Sequence, residues 1–396
     1  MTAANSGRAG AYQEGSWGYR AFLPTRLPPT PPFQMDDELW ELLSKADRAL
    51  GRLDGATTNL PNPDLFVVMY VRKEAVLSSQ IEGTQASLMD VLEFEAQALD
   101  PGRPQDVREV SNYVDAMNYG LEQLKASRPV SLGLIREIHG RLLKGVRGGD
   151  RSPGEFRKIQ NWVGPPGCGL TGATHVPPPP AEMEAALNDL DGFIRDRNPM
   201  PALLKVGLAH SQFETIHPFG DGNGRTGRLL ITFLLCEREI LLRPLLYLSH
   251  YFKNNRGQYY DSLQAVRDLG DWEGWLKFFL RGVFEVSQEA TTTAWKIVNL
   301  REEHRQLVMT NLGRGAQKAL MLLERLYDRP IVSVQWVADA THLTFTHANR
   351  LVQELSALNI LVETTGQRRN RRFAYMPYID LFTDPEEQRN NHRNSH

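Results

Sequence analysis

The sequence predicts a mainly α-helical protein of two or three domains, with a β-hairpin inserted into the helical part and a small helix–strand unit near the C terminus. Three observations predict this. Apolar residues recur at helical spacing over most of the chain from Asp37 to about residue 308. The stretch 155–180 breaks that pattern with "PPGCGLTG" and "PPPP". After Gly313 the order changes to helix, short apolar run, two short helices and two alternating segments. At 396 residues the chain exceeds one ordinary core.

The elements follow in order. Residues 1–35 end in "LPTRLPPTPPF", where proline blocks helix, and read as a mobile or extended arm. A helical region, 36–104, opens with "DELWELLSKADRAL" and resumes after "LPNPD" from Leu65 to Ile81, where Gly83 gives a stop signal. It closes with "SLMDVLEFEAQALD" and the breaker "DPGRP". A third region, 105–299, holds helices at about 105–124, 131–143, 181–197, 202–216, 224–239, 253–268 and from 271, with "FRKIQNWVG" and "GATHV" as a hairpin or flap between them. From 300 to 382 the helix 315–327, "RPIVSV", the helices 334–340 and 345–358, and the alternating "ILVETT" and "RRFAYM" have the order of a winged helix-turn-helix unit. A polar tail, 383–396, ends the chain.

Composition narrows the function classes. Hydrophobic residues make up 41% and charged residues 23%, with net charge −2, so any nucleic-acid-binding surface must be local. The two cysteines, Cys168 and Cys236, lack metal-ligand spacing and form no disulfide framework. The longest obvious apolar run, Leu229 to Cys236, is far short of the ~20 residues of a membrane span. With no signal-like segment in the first 35 residues, the expectation is a cytoplasmic protein with no membrane partner.

The segment "HPFGDGNGRTGR", 217–228, joins two helical runs. Gly222, Asn223 and Gly224 let the backbone take positive φ or approach a ligand closely. The helix that follows points free N–H groups into the loop, which makes an anion site. Arg225 and Arg228, at i and i+3, oppose the helix dipole and so suit a bound polyanion. Asp221 fits among phosphate binders as the holder of a divalent cation. His217 can take a proton from an incoming hydroxyl. A purely structural glycine-rich turn with a satisfied histidine would use the same residue types.

His217, Phe219, Asp221, Gly222, Asn223, Gly224, Arg225 and Arg228 resemble the Fic-domain signature HxFx[D/E]GNGRxxR at all its specified positions. The resemblance implies a Fic-type helical core. It also implies an adenylyltransferase that moves AMP from ATP to Ser, Thr or Tyr hydroxyls of target proteins and of itself. By it, His217 is the general base, Asp221 holds Mg²⁺, Gly222, Asn223 and Gly224 form the anion hole, and Arg225 and Arg228 grip the β- and γ-phosphates. "SSQIEGT", 78–84, then matches the family's inhibitory pattern [S/T]xxxE[G/N] through Ser78, Glu82 and Gly83. In the family this glutamate pairs with the second arginine, here Arg228, and displaces the γ-phosphate. Without the resemblance, Glu82 is a solvated charge at a helix end.

Other features leave alternatives open. The flap could pair with an extended target segment or be a surface hairpin without a partner. Asn254, Asn255, Tyr259 and Tyr260 could reach the adenine, Asn255 foremost, or serve as a helix cap and core tyrosines. "RRNRR", 368–372, at a wing tip, with Thr346, His347, Asn349 and Arg350 on a recognition helix, could hold DNA or a protein. Self-association into a homodimer is open. Phosphoryl or other nucleotidyl transfer, removal of AMP by water oriented on Glu82, and a DNA-binding regulator with a Fic sensor core are the alternatives to AMP transfer.

Overall fold

A computed structural model describes residues 6–15, 18–58, 63–97, 105–196, 199–367 and 369–383. Two helices sit at its centre. α7 (Ala202–Ile216) and α8 (Asn223–Glu237) pack on each other and are buried almost all round. Neither keeps a polar stripe for solvent: Lys205, His210 and Gln212 of α7 and Asn223, Arg225 and Arg228 of α8 are buried with the apolar side chains. Around them lie α4 (Gln105–Lys125), α5 (Leu132–Leu142), α6 (Pro180–Arg195) and α10 (Arg256–Leu269). The close approach of α4 to α8 requires Gly120, because a Cβ there would stand 2.3 Å from the Phe233 ring. α11 (Trp272–Asn311) runs beside α7, its Trp275 indole donating to the Gly207 carbonyl at 2.8 Å, and α1 (Asp37–Thr58) packs along α11.

α2 (Pro63–Ile81) packs against α4 and α9 (Ser249–Asn254), and α3 (Leu88–Gln97) follows it. α2 carries a buried carboxyl, Glu74. Ser249 N–H donates to it at 3.1 Å, Ser249 Oγ at 2.5 Å and Tyr113 Oη at 3.2 Å. Burial pushes Glu74 up to about 7, against these hydrogen bonds and the Arg228 charge. A carboxyl whose value is raised by folding contributes its full stability below the unfolded-chain value and loses it as pH rises through about 7. Relative to Glu74→Gln, the unsubstituted protein is therefore expected to lose melting temperature as pH rises from about 5 to 7. A difference between the two that does not change with pH would contradict this.

The N-terminal arm is not a mobile tail where it is described. β1 (Gly10–Glu14) and β2 (Arg20–Pro24) form an antiparallel hairpin with Tyr12 opposite Phe22. Phe22 is buried, and Arg8 makes a two-point pair with Glu273 at 3.0 and 3.1 Å. The prolines do exclude helix, but the partner that orders the arm lies 265 positions away. The flap is also corrected. Instead of a full hairpin, residues 155–180 have a single antiparallel bridge, Val163 with His175. Prolines on both sides of that bridge lack the N–H groups that would extend a ladder.

Past Gly313 the order is α12 (Ala316–Leu326), β3 (Ile331–Ser333), α13 (Val334–Thr341), α14 (Phe345–Ala357), β4 (Val362–Glu363) and β5 (Arg372–Ala374). The strands form an antiparallel sheet in the order β3-β5-β4. The expected boundary at 299/300 falls inside α11, so a break in the helical order comes only at Leu312–Gly313. This C-terminal unit docks on the region preceding the core. Arg329 and Arg372 donate to the Ala96 carbonyl at the end of α3 at 3.1 and 2.9 Å, and Phe382 meets Tyr70 of α2 edge-on. Arg368, "DPGRP" and all of the polar tail but Thr383 lie outside the described residues. Among the described residues no helix is long and apolar enough to cross a membrane.

Candidate active site

α7 stops at His217, which takes the left-handed conformation (φ 48°, ψ 61°) as its C-cap. A non-glycine residue there needs outside support. Arg157, itself buried, donates to the His217 carbonyl at 3.0 Å, and Asn161 does so at 3.4 Å. The His217 ring lies with Nδ1 3.4 Å from the Glu214 carbonyl. With Nδ1–H donating there, Nε2 is left as the acceptor. Burial and the Arg157 cation push the imidazole down to about 4. It is therefore neutral near pH 7, the form that accepts a proton.

The loop is closed by its own asparagine. Asn223 Oδ1 accepts from Phe219 N–H at 2.8 Å and Nδ2 donates to the Phe219 carbonyl at 2.9 Å. This corrects part of the expectation: the Asn223 side chain holds the loop shut, and only backbone N–H groups of the first turn of α8 are offered to an anion. Gly222 has φ 73°, as the tight entry into α8 requires. His139 of α5 supports the loop from outside. It stacks on Phe219, accepts from Gly154 N–H on Nδ1 at 2.9 Å, and so donates from Nε2 to the Asp221 carbonyl at 2.9 Å.

Arg228 reaches from α8 to the end of α2. Its Nε donates to Ser78 Oγ at 2.8 Å, and Nη2 donates to the Ser78 carbonyl at 3.0 Å and to Glu82 Oε1 at 2.6 Å. Burial raises the Glu82 carboxyl, but the Arg228 charge and hydrogen bond outweigh it, and the net shift is downward. Glu82 is thus ionised in the pair. Gly83 (φ 96°) ends α2 so that Glu82 turns inward, and a Cβ at Gly224 would stand 2.3 Å from Glu82 Oε1. The expected pairing of Ser78, Glu82 and Arg228 is present in the geometry.

Arg225 is placed differently from the expectation. It is 1% exposed and pairs with Glu109, 2% exposed, at 3.2 Å. The same Glu109 oxygen accepts from Thr84 and Arg147, and Arg147 also donates to the Glu82 carbonyl. Arg225 therefore ties α8 to α4 and to the segment after Glu82, and its Nη2 lies 3.7 Å from Oδ1 of Asp221 at the cavity edge. Arg225→Ala leaves Glu109 with Thr84 and Arg147, so the expected loss in denaturant unfolding is that of one charged hydrogen bond, about 1.5–3 kcal/mol; no measurable loss would contradict the placement.

A cavity of about 320 Å³ opens between α8, α10 and the flap. His217, Arg228, Glu82 and the Gly222–Gly224 backbone line one side; Tyr259, Tyr260, Leu263 and Arg267 line another. Asn255 is not among its lining. It sits at the α9–α10 junction and donates to the Tyr251 carbonyl at 3.0 Å, which corrects the expectation of a base contact. Three residues that sequence reasoning missed do line the cavity: Glu214, Arg267 and His175. Glu214 shares α7 with other polar residues, His210, Ser211 and Gln212 among them, so no local signal set it apart; the other two had none either. A second groove of about 570 Å³ runs under the flap past Phe156, Ile159 and Asn161, and meets the cavity at Trp162, Gly220 and Asp221.

Asp221 is the one expected metal ligand. No group of three or more His, Cys, Asp or Glu among the described residues is placed to hold an ion. Asp221 Oδ1 accepts from Gly222 N–H, and its carboxylate packs on Gly148, where a Cβ would stand 2.8 Å from Oδ2. Its side chain is 41% exposed. One open carboxylate fits a magnesium ion that is shared with substrate phosphates rather than caged by protein.

Residues 40–122 match the family described as Fic/DOC family N-terminal, and residues 129–235 match the Fic/DOC family. Ser78 and Glu82 fall in the first span; His217 to Arg228 fall in the second. The chain is 28% identical over 255 residues to the protein adenylyltransferase Fic of Culex quinquefasciatus, covering 62% of this chain and 46% of that one. It is 32% identical over 151 residues to the protein of the same name from Aedes aegypti, covering 38% and 27%. The matches span less than half the length of these curated relatives. In fold it is similar to the crystal structure of a Fic family protein from Desulfovibrio desulfuricans G20, with TM-score 0.57 and 19% identity over 87% of this chain and 97% of that one.

Proposed function

The chain belongs to the Fic/DOC family, and from that premise we propose that it transfers AMP from ATP to hydroxyl side chains of target proteins and of itself, restrained by its own Glu82. The observation that carries this is the pairing of Arg228 with Ser78 and Glu82 in the cavity that also holds His217 and the open first turn of α8. A guanidinium that can trade one anion for another, beside a neutral base, fits a polyphosphate substrate.

In the proposed reaction the target hydroxyl oxygen bonds to the α-phosphorus and the bond to the bridging α,β-oxygen breaks, so that pyrophosphate leaves. His217 Nε2 takes the hydroxyl proton. The N–H groups of Asn223 and Gly224, at the start of α8, hold the α-phosphate oxygens, and Arg228, once free of Glu82, holds the terminal phosphates. Asp221 would hold Mg²⁺, which supplies charge neutralisation to the phosphates when bound. The groove under the flap, meeting the cavity at Asp221, suits an extended target segment. Labelling with ATP carrying label at the α- or the γ-phosphate tests the reading. Label transferred to protein only from the α-position is expected, and label from the γ-position would overturn it in favour of phosphoryl transfer.

We read residues 313–383 as a winged helix that contacts protein rather than DNA. Several of its basic side chains are engaged within the molecule: Arg371 with Asn349 and Glu363, Arg372 with Ala96, and Arg350 with Glu354.

A further inference from the structure

The cavity holds a second carboxyl group to which the proposed reaction gives no role. Glu214 sits on α7, three residues before His217, and is 9% exposed. Glycine at 227 makes room for it, since a Cβ there would stand 2.3 Å from Glu214 Oε1. Glycine at 224 makes the same room for Glu82. Positions 224 and 227 are i and i+3, so two carboxyl groups lie against one face of α8, beside Arg228.

The two are not equivalent. Glu82 has the guanidinium at 2.6 Å. Glu214 Oε1 is enclosed and has no hydrogen-bond partner among the described residues. An enclosed carboxylate with an unpaired oxygen is costly, and two carboxylates sharing one site do not both ionise. Burial pushes Glu214 up to about 7; Arg228 and Arg267 pull it down, and Glu82 adds to the upward push. The groups that face this space are Glu82 just past α2, Asp221 and His217 from the loop, Arg228 from α8, Tyr259, Tyr260 and Arg267 from α10, and His175 from the flap. Both histidines are depressed by burial and neutral near pH 7. Because Oε1 is enclosed against α8 while Glu214 lines the cavity, Oε2 is the oxygen offered to a ligand.

We propose that Glu214 is a further nucleotide-binding residue, which stays a neutral acid and donates its Oε2–H to a phosphate oxygen of the bound triphosphate. The inference rests on the cavity being the nucleotide site. A triphosphate brings more negative charge than the Glu82 carboxylate it displaces, and so tightens the hold on this proton. Binding is then full while Glu214 is protonated in the free protein. It weakens as pH rises through about 7, by up to about tenfold per pH unit.

Calorimetric ATP binding to the full chain carrying Glu82→Gly, with Mg²⁺ present, tests this. It is run from about pH 6.5 to 8.5 in buffers of differing ionisation enthalpy. Above neutrality, the expected result is an affinity that falls about tenfold per pH unit with close to one proton taken up per ATP. Adding Glu214→Gln, a permanently neutral donor of the same shape, is expected to flatten the profile and abolish the uptake. Adding His217→Ala instead is expected to leave both in place. A flat profile in Glu82→Gly, or uptake that survives Glu214→Gln, overturns the proposal. The Glu82→Gly profile alone decides the matter should the Gln variant not fold. ATP that fails to bind Glu82→Gly at every pH overturns the reading of the cavity, and this inference with it.

Discussion

Replacing His217 with alanine lowers AMP transfer by about 10²–10⁴-fold while ATP binding changes little. The expectation follows from its geometry. The ring holds none of the loop together: Asn223 closes the loop, and Arg157 fixes the His217 backbone through its carbonyl. The imidazole is free for chemistry and neutral near pH 7. Folding is therefore preserved in His217→Ala, and the loss falls on turnover rather than on ATP affinity. The measurement is the rate of adenylate incorporation from α-labelled ATP beside ATP affinity for the same protein. A variant that retains wild-type-like labelling would remove His217 from the mechanism.

Glu82→Gly is expected to raise self-modification by about 10- to 100-fold at a fixed, subsaturating ATP concentration. The figure comes from one charged hydrogen bond, about 1.5–3 kcal/mol, that a phosphate no longer has to displace. Glycine at 82 leaves Arg228 with Ser78 only, and a buried guanidinium turns to the next anion available. The main chain tolerates the change because α2 already ends at Ile81 and Gly83 makes the turn. Rate against ATP concentration separates the cases: a lower KM or higher kcat supports release of Arg228. Lower turnover with ATP still bound would mean that Glu82 positions water for removing AMP.

The part of the site legible in the sequence is the part written locally. Twelve consecutive residues carry the loop, and seven carry Ser78 and Glu82, so backbone freedom, helix-end N–H groups and i,i+4 spacing could be read off directly. The partner of each charge was not legible. Nothing near Arg225 tells that its buried partner is Glu109, 116 positions earlier. Nothing near Asn255 shows that its side chain is spent on the Tyr251 carbonyl. Helices were legible because their apolar period is long and regular. At the flap, the break in helical pattern shows a non-helical insert but not how many strand pairs it makes; the prolines leave it one bridge. Of the two forms the sequence allows the N-terminal arm, mobile or extended, the described residues take the extended one, and the charge that fixes Arg8 belongs to α11. Glu214 is one of several polar residues in α7, and its meaning depends on glycine at 227, in another helix.

The central claim is that Glu82 restrains transfer through Arg228. Its most direct test is the self-modification rate of Glu82→Gly/Arg228→Ala set beside that of Glu82→Gly, both from α-labelled ATP. The double variant is expected to lose the activation, because the arginine released by Glu82→Gly is the one that holds the terminal phosphates. If Glu82→Gly activates as strongly with Arg228 absent as with it present, the pair seen at 2.6 Å does not control the enzyme.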